Sequence, residues 1–78
     1  MTRDEHLKFC RERAITEYDY YEPKSGDGSR QGLTSMMSDI MKHPETADRI
    51  LQALIVNQMI LHPHMERQAF INFINEIK

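Results

Sequence analysis

Leu33, Met36, Met37, Ile40 and Met41 fall at i, i+3, i+4, i+7 and i+8. That spacing lines up along one side of an α-helix and along neither face of a strand. The same period recurs elsewhere. Leu7, Cys10, Ala14, Tyr18 and Tyr21 step by threes and fours near the N-terminus, while Met65, Ala69, Phe70, Phe73, Ile74 and Ile77 do so near the C-terminus. No strand-like alternation of useful length interrupts them, so the chain reads as all-α.

Punctuation divides it into four helices, expected at about 3–21, 30–43, 44–61 and 63–77. Thr2 with Glu5 has the spacing of a capping box, which opens the first helix. Pro23 biases Glu22 away from helical geometry, and Lys24-Ser25-Gly26-Asp27-Gly28-Ser29 favours turns. An acidic, Gly/Ser loop is therefore expected at about 22–29. His43-Pro44 and His62-Pro63 supply two further breaks, and Pro44 suits a first helical turn because its missing N–H is not needed there. The third helix carries apolar residues around most of its circumference, from Ala47, Ile50 and Leu51 through Leu54 and Ile55 to Leu61. This predicts the central helix of a compact bundle. With 78 residues the chain has room for a single helical domain, 1–78.

Composition narrows the function classes. Hydrophobic residues at 40% and charged residues at 28% suit a globular chain. A formal net charge of −2 gives no overall field toward phosphate backbones, which disfavours generic nucleic-acid binding. The longest apolar run, 53–56, is far short of a membrane span, and no apolar stretch at the N-terminus reads as a signal peptide. A soluble, cytoplasmic protein is the expectation. A lone cysteine, Cys10, allows no internal disulfide.

Catalytic chemistry finds few candidates. Cys10 shares a helix face with His6 one turn away, and an imidazole there would favour a thiolate nucleophile. A small core cysteine beside a solvated histidine is the competing account. His43, His62 and His64 could be metal ligands, but a helix of about 18 residues spans about 27 Å, which separates His43 from the other two. No phosphate loop, zinc-protease motif or nucleophile elbow occurs. We therefore expect no catalytic residues, no metal and no cofactor.

One segment stands out for binding. Glu17, Asp19, Glu22 and Asp27 face only Lys24, and Tyr18, Tyr20 and Tyr21 interleave with them. Such a surface could dock on a basic partner, with tyrosine rings stacking on cationic side chains. Alternatively, Tyr18 and Tyr21 pack beneath the loop and the carboxylates are solvated. A second candidate surface is basic: Arg3, Lys8, Arg11 and Arg13, which would serve a small dimeric transcriptional regulator or nucleic-acid-binding protein. The methionines and the widely apolar third helix also exceed what three small neighbours readily cover, which a homodimer or a partner groove would absorb.

The segment Ser35-Met36-Met37-Ser38-Asp39-Ile40-Met41-Lys42-His43-Pro44-Glu45-Thr46 resembles a stretch found in small phage-encoded helical proteins of unassigned function. The N-terminal residues Thr2 to Cys10, together with Pro63, Met65, Arg67, Phe70, Ile71 and Phe73, are similar to how such proteins begin and end. Those proteins join their first helices by a shorter Gly-Asp turn, where this chain is expected to carry the longer loop at 22–29. The resemblance implies a phage-type accessory protein in the host cytoplasm that binds a host protein and modulates or inhibits it, as an anti-CRISPR protein inhibits a defence complex. It transfers no catalytic residue.

Overall fold

The structure, a computed structural model, describes residues 2–77. Among them four helices follow one another: α1 (Arg3–Ser25), α2 (Gly28–Ile40), α3 (Arg49–Leu61) and α4 (Arg67–Asn75). The all-α expectation holds, and the helix boundaries differ in instructive ways.

α1 opens with the expected capping box: the Thr2 hydroxyl accepts from the Glu5 amide at 3.2 Å, and the Glu5 carboxylate accepts from the Thr2 amide at 3.0 Å. It does not end at Tyr21. It runs through Pro23 to Ser25, so the eight-residue loop expected at 22–29 shrinks to Gly26 and Asp27. A proline in the final turn removes one backbone bond and leaves the remaining geometry usable. The stop comes instead from Gly26, which takes the left-handed conformation (φ 68°) and donates its N–H to the Glu22 carbonyl at 2.9 Å.

α2 folds straight back along α1, and two glycines allow the close approach. A Cβ on Gly28 would lie 2.7 Å from the Tyr18 carbonyl oxygen, and one on Gly32 would lie 2.8 Å from that of Ala14. α2 ends at Ile40 and not at His43, because the buried Thr46 hydroxyl donates to the Ile40 carbonyl at 2.7 Å and draws the chain into a turn. Pro44 lies in that turn and opens no helix. α3 begins five residues later, where the Asp48 carboxylate caps the Ile50 amide at 2.7 Å. α4 likewise starts at Arg67 and not at Pro63. Residues 63–65 form a bend pinned against the hairpin: Ser29 donates to the Pro63 carbonyl at 3.1 Å and accepts from the Met65 amide at 3.3 Å, while the Tyr18 hydroxyl donates to the Met65 carbonyl at 2.7 Å.

The core is the inner face of the α1–α2 hairpin, closed by the other two helices. Leu7, Cys10 and Ala14 of α1 and Leu33, Met36 and Ile40 of α2 are buried with Ile55 of α3 and Phe70, Ile74 and Ile77 at the C-terminal end. The Tyr18 ring sits 4.8 Å from that of Phe70. Arg11 of α1 reaches over to donate to the Ile74 carbonyl at 3.2 Å and to that of Ile77, so a charged side chain joins the turn that ends α4 and places its positive charge at the helix C-terminus.

The expected centrality of α3 is overturned: only Leu51 and Ile55 of its 13 residues are buried. The two-glycine contact places α1 and α2 so close that they form the centre, and α3 covers one flank of the pair.

Candidate interaction surfaces

The seven residues of the acidic, tyrosine-containing segment separate into two groups. Four are committed to the fold. Tyr18 is buried, and burial pushes its hydroxyl's pKa up, with the carboxylates of Glu22 and Asp19 adding to the effect. Asp19 receives a two-pronged contact from Arg67 at 2.8 and 3.1 Å, which fastens α4 to α1 and holds the carboxyl below the usual aspartate range. Glu22 accepts from the Gly28 amide at 3.0 Å and thereby caps α2 from the preceding helix. Asp27 takes Arg30 at 2.9 Å and Gln31 at 3.1 Å; its carboxyl is also lowered, chiefly by the Arg30 contact.

The other three remain at the surface and lie together. Glu17, Tyr20 and Tyr21, with Thr16, line one open depression of about 350 Å³ on α1. Tyr20 is 54% exposed, its ring meets that of Tyr21 edge-on at 4.9 Å, and the Lys24 ammonium stands 3.7 Å from its centroid. The i, i+4 spacing of Tyr20 and Lys24 makes that contact possible. The Tyr20 ring face therefore carries the chain's own Lys24 ammonium as a cation–π contact.

Glu17 also borders a second, polar hollow between α1 and α2, about 210 Å³, which it lines with Arg13 and with Ser35, Ser38 and Asp39. Asp39 lies at 2% exposure and is the most buried carboxylate in the ion pairs of the described residues. Its Oδ1 takes Arg13 at 3.3 Å and Lys42 at 3.4 Å, and its backbone carbonyl accepts from His6 Nε2 at 2.8 Å. This hub ties α1 to the end of α2. Sequence reasoning passed over Asp39 because nothing in its local pattern distinguishes it from a solvated helix residue.

The basic candidate surface makes several contacts within the chain while Lys8 and Arg13 stay exposed. Arg11 finishes α4, Arg13 belongs to Asp39, and Lys8 pairs with Glu12 at 3.9 Å.

The thiol of Cys10 is fully buried, and burial together with the Asp39 charge pushes its pKa up to about 11. A group so placed is protonated and screened from reagents at neutral pH. His6 donates to the Asp39 carbonyl and stacks on His43, ring centres 4.9 Å apart. Among the described residues no three of His, Cys, Asp or Glu are grouped to hold a metal ion. Nor is any helix there long and apolar enough to cross a membrane.

A third surface is apolar. Along α3, Ile50 (78% exposed), Ile60 (72%) and Leu61 (62%) stand outward with Leu54 and Val56. No residue of the helix after Arg49 carries a charge.

No known protein family, curated protein or solved structure matches this chain.

Proposed function

We propose that this protein acts by binding another protein, and that Glu17, Tyr20 and Tyr21 on the outer face of α1 receive a lysine- or arginine-bearing segment of that partner. One observation carries the reading: Lys24 already places its ammonium 3.7 Å over the Tyr20 ring, beside a carboxylate that makes no ion pair among the described residues. A partner cation entering the depression would meet a second tyrosine ring and the Glu17 carboxylate, a combination that attracts a positive charge by ring quadrupole and by direct Coulomb interaction. Both are surface interactions, so the contact is salt-sensitive and its value lies in selecting a basic partner as much as in affinity.

The resemblance of residues 35–46 to phage-encoded proteins gives this reading its specific form. In that form the partner is a host protein, and its basic segment is masked when this chain docks on it.

The chain has three tyrosines and no tryptophan, and all three tyrosines lie within this segment, so its intrinsic fluorescence reports on the site. Titration with an acetylated, amidated Gly-Arg-Gly-Lys-Gly peptide should give a saturable change that weakens as salt rises. Glu17→Gln and Tyr20→Ala should each weaken it several-fold with an unchanged helical spectrum. Equal binding by a peptide with citrulline and acetyl-lysine in the basic positions, or by both variants, would overturn the assignment.

A further inference from the structure

From the outer face of α3 we infer that this protein pairs with a second copy of itself, the two-fold axis passing beside Asn57. Ile50, Leu54, Asn57 and Leu61 recur at i, i+4, i+7 and i+11, a single line along the helix, and all four are exposed. Ala53 and Ile60 border the line on one side.

The exposure does not come from an open chain. The accessible surface, 4934 Å², equals the about 4,900 Å² expected of a compact monomer of 9.2 kDa. A folded protomer therefore presents this face as it stands, and its own helices are already placed.

Two features say what covers it. In a symmetric pair each residue near the axis faces its own copy, which is costly for a charged surface because like charges meet. The line is uncharged from Ile50 to Leu61, so like can lie on like. Asn57 sits within the apolar line, and an amide buried there needs both a donor and an acceptor opposite it. A second Asn57 amide supplies both, whereas an apolar groove on an unrelated protein would leave it unsatisfied. A single asparagine in an apolar helix seam also fixes register and limits the assembly to a defined number of chains.

Thirteen residues make a helix about 20 Å long, a short seam, so the pairing is sought from micromolar concentrations upward.

The inference is independent of the α1 site, and its test does not involve peptide binding. Sedimentation velocity across about 1–500 µM should show a concentration-dependent rise to twice the chain mass of 9.2 kDa, and no further. Asn57→Asp, nearly isosteric, sets two carboxylates against each other at the axis and should raise the dissociation constant at least tenfold at pH 7.5. Leu54→Glu, at a position outside the core, should do the same with an unchanged helical spectrum. A protein that stays monomeric throughout, a mass beyond the dimer, or a dimer indifferent to Leu54→Glu would overturn the pairing. Loss of the dimer in Leu54→Glu but not in Asn57→Asp would overturn the placement of the axis.

Discussion

Replacing Gly32 by alanine sets two effects of opposite sign against each other. By helix propensity alone the change should stabilise α2 by about 1 kcal/mol. The packing says otherwise. The added methyl would lie 2.5 Å from Phe70 Cζ, 3.0 Å from Phe70 Cε2 and 2.8 Å from the Ala14 carbonyl oxygen. Carbon atoms rest at about 3.5–4.0 Å, so the Phe70 contact alone demands a displacement of about 1 Å. Neither neighbour yields readily: Ala14 is backbone in the middle of α1, and the Phe70 ring is fully buried against Tyr18. Overpacking of this kind costs about 1–3 kcal/mol, and with two rigid partners the upper part of that range applies. After subtracting the propensity gain, the net loss is about 1–2 kcal/mol, or about 5–15 °C in Tm for a chain of this size. Thermal unfolding followed by circular dichroism measures it. Phe70→Leu in the Gly32→Ala background should recover part of the loss, giving a double variant more stable than the two separate losses imply. Gly26→Ala serves as the contrast: no atom lies within 4 Å of its would-be Cβ, so its cost of about 1–2 kcal/mol comes from the left-handed backbone and does not couple to Phe70. A Tm that rises in Gly32→Ala would refute the close packing of α1 on α2.

Three further outcomes are expected. Thr46→Val, similar in shape, leaves the Ile40 carbonyl without its 2.7 Å donor in a buried turn and should cost about 1–3 kcal/mol by urea unfolding; an unchanged midpoint would show that this hydroxyl does not hold the turn. Cys10, with its pKa near 11 and no exposure, should resist thiol reagents at pH 8 and react at once in denaturant; fast labelling of the folded protein would contradict its placement. Asp19 and Asp27 titrate below their usual range in the folded chain, so both contribute stability that is present above the unfolded carboxyl pKa of about 3.9 and fades as pH falls through the lowered folded values. In Arg67→Ala the Asp19 titration, followed by NMR, should move back up while that of Asp27 stays low.

Much of the helical architecture was legible because its causes are local. The Thr2–Glu5 box, the stripe from Leu7 to Tyr18 and the pattern from Leu33 to Ile40 each lie within a few turns and appear where the pattern places them. Some errors fall where two local signals compete. Pro23 signals an end to α1 that a last-turn proline does not impose, and Gly26 supplies the stop. Pro44 signals a helix start, and Asp48, with a side chain able to cap Ile50, takes that role. The acidic, tyrosine-containing segment was half legible. Its composition marked residues 17–27, but composition cannot reveal that Asp19 meets Arg67, 48 positions away, or that Glu22 caps the following helix.

By itself the sequence determined that this chain forms amphipathic helices, because periodicity and capping act over one or two turns. Which apolar face would be covered was decided only in the tertiary structure. Gly28 and Gly32 let α2 close on α1, so that hairpin became the centre, and α3, the helix richest in apolar residues, was left on a flank. Burial depends on which neighbours pack against a face and how near they come. For this protein two missing side chains set that distance, and the result is a folded protomer with Glu17, Tyr20 and Tyr21 on one outward face and the apolar line of α3 on another.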